Sequence, residues 1–427
     1  MSGHPTQARA AELDAADPLQ AWRGRFALPR DSHGNELTYL CGHSLGLAPV
    51  AARERVLEEL RDWEQLAVLG HEHAQRAWIG YAERLAPGLA ELAGAAPEEV
   101  AAMNSLTVNL HLLLASFYRP DAGRHRILIE AGAFPSDRHA IVSQIRWHGH
   151  DPASALIEIA PRPGEQLLQP ADVEARIAQE GRKLALVLWP GVQYRTGQAF
   201  ELDEVVRSAH RCGALVGFDL AHAIGNLPLA LHDSGADFAV WCSYKYLNGG
   251  PGAIGGAFVH ERHANNAQLP RLSGWWGSNP RTRFLMGEDF ELSPGAAGWQ
   301  VSNPPILSAA PLHESLQMFN EVGMDALRAK SQHLTSFLHH AMLAHCGEQI
   351  EIITGSDPRQ RGCQLSVRVR GGDERARRAH AALSRRGVIS DWREPDTIRL
   401  APVPFYNRFA DAWRGAQQLS EALAEVG

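Results

Sequence analysis

A lysine between two tyrosines follows an apolar run near the middle of the chain. The segment reads Cys242-Ser-Tyr-Lys-Tyr-Leu-Asn-Gly-Gly-Pro-Gly252, so Lys245 precedes a glycine-rich turn. Because a lysine is costly to bury, this position either serves chemistry or lies exposed at a strand end. The chemistry that suits it is Schiff-base formation, which needs an amine with a depressed pKa. The segment alone leaves both interpretations open.

An acid stands in the same kind of position one strand earlier. The segment Phe218-Asp-Leu-Ala-His222 ends an apolar run, and Asp219 could simply cap a helix. Enzymes that use pyridoxal 5'-phosphate (PLP) pair the pyridinium nitrogen of the cofactor with an Asp and its aldehyde with a Lys. The two segments together favour a PLP site built on Asp219 and Lys245.

A third segment could receive the phosphate of such a cofactor. Asn104-Ser-Leu-Thr-Val-Asn109 opens a predicted helix at 108–118. Free backbone N–H groups and the helix dipole favour an anion at a helix start. Ordinary N-capping predicts the same residue types, so this segment supports the cofactor without requiring it.

The elements that must position these residues alternate along the chain. Short apolar runs predict strands, and amphipathic patterns between and around them predict helices, which together indicate a mainly parallel sheet covered on both faces. Ligands bind such sheets beyond the carboxyl ends of the strands. The predicted strands are 126–130, 156–159, 184–189, 214–218 and 238–242, and the predicted helices include 51–69, 171–180, 203–212, 312–346 and 408–426.

The texture of the chain predicts three parts. Residues 1–50 are expected to pack on the small domain and the active site, residues 51–306 to form the large cofactor-binding domain, and residues 307–427 to form a small α+β domain. A length of 427 residues is more than one hydrophobic core usually takes, which favours two domains.

Composition argues against several classes of protein. A net charge of −7 provides no basic stripe for nucleic acid, and no apolar run is long enough to span a membrane. The start of the chain lacks the apolar region of a secretory signal. The five cysteines are scattered without a C-x-x-C pair, which favours a reducing cytoplasm over a disulfide framework.

Three further motifs point to other chemistry but lack its context. His71-Glu-His73 lacks the spacing of a zinc helix, so no metal is expected. The glycines of 250–255 precede a β-prone run, whereas the dinucleotide fingerprint requires a helix there. Gly42-His-Ser-Leu-Gly46 matches the nucleophile elbow of serine hydrolases, but too few residues precede Ser44 for the required sheet.

Longer segments, in chain order, resemble the kynureninase family. They cover most of the chain from residue 39 to 407 and read YLCGHSLGL, MNSLTVNLHLLLASFY, FPSDRHAI, GVQYRTGQ, VGFDLAHAIGN, WCSYKYLNGGPG, GWWG, VSNPPIL and RLAPVPFYN. The resemblance implies the aspartate-aminotransferase fold (fold type I), with a seven-stranded sheet, PLP and a homodimer whose active sites lie at the interface. The implied reaction is hydrolysis of L-kynurenine, or its 3-hydroxy form, to an anthranilate and L-alanine.

The resemblance also implies roles for individual residues. Lys245 would hold the cofactor and move the substrate α-proton, Asp219 would pair with the ring nitrogen, and Tyr244 would donate a proton late in the reaction. The other implied cofactor contacts are Leu106, Thr107, Phe134, Asp137, His222, Trp275 and Asn303, with Asn303 coming from the partner subunit. The implied substrate contacts are Ser44, His71, Asn303 and Arg399, of which Arg399 would bind the carboxylate in bidentate fashion.

Two departures from the family pattern and two alternatives stay open. His43 replaces the usual Asn of the N-terminal loop and Ser278 replaces a frequent His, both at positions expected near the substrate's aromatic ring. Another fold-type I enzyme, such as a β-lyase or a cysteine desulfurase with Cys346 or Cys363 as its mobile thiol, is one alternative. A PLP-binding regulator without catalysis is the other, although the chain shows no DNA-binding module.

Overall fold

The computed structural model describes residues 5–264, 266 and 268–427, so the first four residues of the predicted N-terminal segment lie outside it. The α-helices of this part of the chain are α1 (Gln7–Ala15), α2 (Val50–Leu66), α3 (Gly70–His73), α4 (Ala86–Ala93), α5 (Leu106–Phe117), α6 (Pro135–Trp147), α7 (Pro152–Ala155), α8 (Pro170–Glu180), α9 (Leu202–Arg211), α10 (Leu231–Ser234), α11 (Glu261–Ala264), α12 (Ile306–Val322), α13 (Met324–Cys346), α14 (Asp373–Arg385) and α15 (Phe409–Val426).

The strands fall into a large sheet and two smaller ones. They are β1 (Thr38–Tyr39), β2 (Val100–Ala102), β3 (Arg126–Glu130), β4 (Leu156–Ile159), β5 (Leu184–Pro190), β6 (Leu215–Asp219), β7 (Phe238–Trp241), β8 (Gly256–Val259), β9 (Ile350–Ile352), β10 (Leu365–Val369), β11 (Val388–Ile389), β12 (Asp391–Arg393) and β13 (Thr397–Leu400). All five strands predicted from apolar runs are present, and their ends differ by one residue at most.

The large sheet has the order β2-β8-β7-β6-β5-β3-β4. The five strands from β7 to β4 run parallel, whereas at one edge β8 pairs antiparallel with β7, and β2 pairs antiparallel with β8. Alternate residues of β3 enter different cores, since Leu128 packs in one apolar cluster and Ile127 and Ile129 in another. Helices cover both faces for this reason, and the prediction of a mainly parallel seven-stranded sheet is confirmed.

A smaller α+β unit follows. Its sheet has the antiparallel order β12-β13-β10-β9, and α13, α14 and α15 pack against it around a core of their own. The predicted helical stretch 312–346 begins earlier, at Ile306, and is divided at Gly323, which adopts a φ of +78°. That left-handed conformation favours glycine and separates α12 from α13.

The N-terminal segment contacts the small unit at several points. β1 pairs in parallel with β11, and the Asp14 carboxylate accepts hydrogen bonds from the backbone N–H groups of Phe409 and Ala410 at the start of α15. Lys330 of α13 forms a buried ion pair with Asp17 at 2.7 Å. The packing of residues 1–50 on the small domain and the active site stays a prediction, as do the three domain boundaries.

Candidate active site

The segments singled out by their chemistry converge beyond the carboxyl ends of the parallel strands. Asp219 ends β6 and lies in register with Pro190 at the end of β5, while Lys245 follows β7 by four residues. A cavity opens at this edge, as expected for a parallel sheet. Its walls are formed by Leu106, Thr107, Glu130, Phe134, Ser136, Asp137, Pro190, Val192, Tyr194, Asp219, Ala221, His222, Tyr244 and Lys245.

Lys245 is one of three lysines in the chain, and the three have different surroundings. Lys183 is exposed, and Lys330 is paired with Asp17. The Lys245 amine lies in the cavity, 3.0 Å from His222 Nε2 and 5.9 Å from the centre of the Phe134 ring. Lys245 is therefore the lysine placed to react with a ligand.

His222 is a neutral neighbour of that amine. Burial, together with the positive charges of Lys245 and Arg399, holds the pKa of His222 well below its usual value. The ring can therefore share a proton with the Lys245 amine without adding a second positive charge beside it.

Three carboxyl groups surround the middle of the cavity. Asp219 Oδ1 accepts a hydrogen bond from the Ala221 backbone N–H at 2.7 Å. Burial and the adjacent charge of Asp219 raise the pKa of Asp137 well above its usual value, and the same two causes raise the pKa of Glu130 to about 8. Asp137 and Asp219 lie within hydrogen-bonding reach, which requires a shared proton. Asp137 and Glu130 therefore favour the neutral acid form at neutral pH.

Two helix starts meet at the other end of the cavity. α5 begins at Leu106 and α6 at Pro135, and the Thr107 and Ser136 hydroxyls lie 2.7 Å apart between them. Free N–H groups and hydroxyls at helix starts bind a phosphate well. Ser136 was not predicted from the sequence, although it stands in the FPSD segment beside Phe134 and Asp137.

The donor set of the cavity fits PLP. It combines the Lys245 amine, the Asp219 carboxyl group, two helix starts and the half-exposed Phe134 ring. Asp137 Oδ1 and His222 Nδ1 are buried there without a hydrogen-bond partner. A polar ligand in the cavity would supply partners for both atoms. PLP would find its aldehyde partner in Lys245 and its nitrogen partner in Asp219.

Tyr244 remains protonated next to Lys245. Burial raises the pKa of the Tyr244 hydroxyl above its usual value, and the electrostatic effect and hydrogen bond of the Cys242 side chain add to this. Its side chain also lines the cavity. A tyrosine in this state is a proton donor within reach of a bound ligand.

The N-terminal loop packs against the lysine segment. The Gly46 N–H donates to the Tyr244 carbonyl at 2.8 Å, and a Cβ on Gly46 would lie 2.3 Å from the Lys245 carbonyl oxygen. This close approach requires a glycine. The Ser44 hydroxyl contacts the Cys41 thiol, and Ser44 does not line the cavity, so its role as a substrate contact remains a prediction.

Arg399 lies behind Tyr194 at the rim of the site. Its side chain is completely buried, its Nη1 donates to the Tyr194 carbonyl at 2.6 Å, and its Nη2 donates to the Asp391 carboxylate. His43, fully buried as well, lies 3.5 Å from the same carboxylate. The structure thus places His43 beside the Arg399–Asp391 pair. Neither Asp391 nor the cavity-lining Tyr194 was predicted as a site residue.

Besides Ser44 and Arg399, three further predicted contacts do not line this cavity. Trp275 is 49% exposed, Asn303 is exposed, and His71 stacks edge-on against Trp78 at 5.5 Å on the surface. Ser278 likewise lies away from the cavity, and its hydroxyl donates to the Trp275 carbonyl at 2.6 Å. The roles given to these side chains remain predictions.

Fold and site define a PLP-dependent enzyme of fold type I. The solved structures that share the fold include C-DES with glycine covalently linked to its PLP cofactor (TM-score 0.74, 17% identity, 91% of this chain and 96% of that one). The cysteine desulfurase CsdA from Escherichia coli also shares it (TM-score 0.77, 16% identity, 95% and 98%). At these identities the likeness concerns the fold alone.

Sequence comparison gives the family. Residues 327–419 match the profile "Kynureninase C-terminal domain". The chain is 57% identical over 406 residues to a kynureninase of Xanthomonas campestris pv. campestris (strain B100), covering 95% of both chains. It is 57% identical over 416 residues to that of Xanthomonas euvesicatoria pv. vesicatoria (strain 85-10), covering 97% of both. The chain belongs to the kynureninase family, as the sequence predicted.

Proposed function

We propose that this chain hydrolyses L-kynurenine, or 3-hydroxy-L-kynurenine, to anthranilate, or 3-hydroxyanthranilate, and L-alanine by Cβ–Cγ cleavage with PLP as cofactor. The observation that carries the proposal is a family match over nearly the whole chain, combined with a cavity in which Lys245 and Asp219 occupy adjacent strand ends. The choice between the two substrates belongs to the experiment below.

The residues of the cavity divide the chemistry between them. PLP, when bound, supplies an electron sink for the bonds around the substrate's α-carbon. Lys245 is placed to hold and move the α-proton, and the neutral His222 accepts or returns a proton at the Lys245 amine. Tyr244 keeps its hydroxyl proton for donation to the alanine part of the substrate after cleavage.

Electrostatics orient both cofactor and substrate. Asp219, as the partner of the ring nitrogen, would favour its protonated form, which strengthens electron withdrawal. Arg399 offers a buried guanidinium for the substrate carboxylate. The half-exposed Phe134 ring lies edge-on to Tyr194 at 5.3 Å and forms a flat apolar wall for the cofactor ring.

The buried thiols argue against a desulfurase. Such an enzyme needs a mobile cysteine that reaches its substrate, whereas Cys346 and Cys363 are 3% and 0% exposed. Burial raises the pKa of both thiols to about 12, so neither supplies a thiolate at neutral pH.

The assay that tests the function follows anthranilate fluorescence with purified, PLP-loaded protein and L-kynurenine. We expect anthranilate and L-alanine in equal amounts, and a parallel assay with 3-hydroxykynurenine ranks the two substrates by kcat/KM. A protein that binds PLP but cleaves neither substrate would keep the fold and reject the proposed reaction.

A homodimer is the second part of the proposal. Exposed apolar side chains are concentrated in one segment next to Trp275, and a second copy of the chain would cover them. Their exposed fractions are 57% for Leu272, 52% for Phe284, 75% for Leu285, 75% for Met286 and 46% for Phe290. The same contact would bring Trp275 and Asn303 to the cavity of the partner.

The dimer is tested by sedimentation. We expect twice the 46.7 kDa mass of one chain for the wild type and a shift towards monomer for Leu285→Glu, because a buried charge without a partner opposes association. Leu343→Glu, on an exposed apolar residue of α13, is the matched control and should stay dimeric. A monomeric wild type with full activity would overturn the shared active site.

The last part of the proposal concerns the cellular compartment of the enzyme and the pathway that uses its products. The five cysteines are free, which suits a reducing cytoplasm, and the products suit tryptophan catabolism or the supply of precursors for NAD biosynthesis. Within the described residues, none of the helices is both long and apolar enough to cross a bilayer.

A further inference from the structure

Arg399, the expected binding site for the substrate carboxylate, already holds a carboxylate. Asp391 and Arg399 are directly opposite each other on the antiparallel strands β12 and β13, and the Nη2 group of the arginine donates to Asp391 Oδ2. Since Nη1 is engaged by the Tyr194 carbonyl, the Nε group is the part of the guanidinium that has no partner. A ligand carboxylate that pairs with Nε and Nη2 side by side shares Nη2 with Asp391, so the two carboxylates compete for that group.

Two further donor groups lie close to the same Asp391 oxygen. Arg393 Nη2 lies 3.1 Å and His43 Nε2 lies 3.5 Å from Asp391 Oδ2. Burial tends to raise the pKa of Asp391, but the neighbouring His43 ring and the charge of Arg399 outweigh burial and keep that pKa below its usual range. Asp391 is therefore a carboxylate with three candidate partners, of which Arg399 is the nearest.

His43 is the unusual member of this group. It is completely buried, and neither ring nitrogen has a hydrogen-bond partner. Burial, followed by the charge of Arg399, lowers its pKa to about 3, so the ring is neutral and has one N–H to donate. At 3.5 Å the contact with Asp391 is too long for a hydrogen bond, and a buried donor left without a partner is destabilising. A second position of Asp391, closer to His43, would satisfy this donor.

We propose that Asp391 is an internal carboxylate that occupies Arg399 until the substrate carboxylate displaces it, and that His43 and Arg393 hold Asp391 after the exchange. The inference rests on the proposed function, because it takes the substrate carboxylate as the ligand of Arg399. Through the exchange Arg399 keeps one carboxylate and Asp391 keeps one arginine, so no buried charge is left without a partner. Asp391 and His43 act through Arg399 and are positioning residues.

A metal ion does not account for the same cluster. Cys41, His43 and Asp391 offer ligand atoms within 4.8 Å of one another. However, two arginines already share the Asp391 oxygen, and burial raises the pKa of the Cys41 thiol to about 12. A cation would meet two guanidinium groups and a protonated thiol, which is a poor ligand.

The test compares ligands with and without a carboxylate on the PLP-loaded enzyme. L-Alanine and ethylamine are titrated while the cofactor absorbance is followed, which yields dissociation constants independently of turnover. We expect L-alanine to bind to Asp391→Asn at least about 5-fold more tightly than to wild type. The reason is that an internal competitor lowers the apparent affinity in proportion to the fraction of sites it occupies. Ethylamine binding should not change. Weaker or unchanged L-alanine binding would overturn the exchange and assign Asp391 the role of orienting Arg399.

Two variants of His43 give a second measurement if Asp391→Asn folds poorly. His43→Leu removes the N–H that receives Asp391, and we expect L-alanine to bind about 5-fold more weakly, since a buried hydrogen bond contributes about 1 kcal/mol. His43→Asn, which restores the residue common in the family's loop and supplies an N–H again, should bind L-alanine like wild type. Equal L-alanine binding in His43→Leu and wild type would contradict the receiving role.

Arg399→Gln separates this inference from the proposed function. Loss of the preference for L-alanine over ethylamine in this variant supports the carboxylate site itself. If Arg399→Gln retains the preference, the proposed function loses its carboxylate contact and the exchange fails with it. If the preference is lost but Asp391→Asn does not tighten L-alanine binding, the exchange alone is overturned.

Discussion

Replacing Lys245 with alanine is expected to lower kcat by at least about 10³-fold, because the group that moves the substrate's α-proton and holds the cofactor is lost. The amine lies in the cavity, 3.0 Å from a histidine that is itself kept neutral. We also expect the variant to lose PLP on dialysis, which is followed by cofactor absorbance. Steady-state assays with L-kynurenine measure the kinetic effect.

Because the chain has three lysines in different surroundings, the site of cofactor attachment can be tested directly. After borohydride reduction of the PLP-loaded wild type, peptide mass analysis should find the cofactor on the peptide that contains residue 245. Lys183→Ala serves as the matched control, because that side chain is exposed, and its kcat and PLP content should equal those of wild type. Labelling at residue 183 or 330, or turnover by Lys245→Ala, would contradict the assignment.

The parallel part of the fold could be predicted because its strands are continuous apolar runs. β3, β5, β6 and β7 are buried on both faces and carry polar side chains only at their ends, and this pattern is visible in the sequence. β2 has three residues, and its alanine-rich run resembles the helices around it, so its antiparallel place beside β8 could not be predicted. Edge strands depend on their pairing partners, which local patterns do not specify.

The cavity shows the same division between local and long-range information. Leu106, Thr107, Phe134, Asp137, Asp219, His222, Tyr244 and Lys245 were predicted as cofactor contacts, and all of them line the cavity. Glu130 carried the same signal as Asp219, an acid at the end of an apolar strand, but was not recognised. Each of these residues lies within a few residues of a strand end or a helix start.

The region around Arg399 depends on contacts between distant parts of the chain. Asp391 meets Arg399 through the register of β12 on β13, and His43 reaches them from the N-terminal loop, which docks on the lysine segment. Neither contact can be predicted from the spacing of residues along the sequence. The exposed Trp275, Asn303 and His71 depend on a further surface, which we propose to be the second subunit.

Replacing Asp219 with asparagine should lower kcat by about 10²–10³-fold, the size of effect seen when one preorganised electrostatic partner is removed from an active site. Asparagine keeps the shape of the side chain and can still accept the Ala221 N–H, but it removes the negative charge that favours a protonated ring nitrogen. The pKa of the cofactor's ring nitrogen should fall accordingly, and the pH dependence of the cofactor absorbance measures this change. The pKa values of Asp137 and Glu130 should also fall, because the Asp219 charge contributes to raising both.

Asp137→Asn is the matched substitution that distinguishes charge from shape. Since the pKa of Asp137 is raised well above its usual value, the residue is a neutral acid at neutral pH, and asparagine is a neutral replacement of similar size. We therefore expect kcat to fall by no more than about tenfold, and the pH dependence of the cofactor absorbance to stay near that of wild type. Equal losses in the two variants would show that the charge is divided over the Asp137–Asp219 pair, and a larger loss in Asp137→Asn would reverse the assignment of the ionised partner.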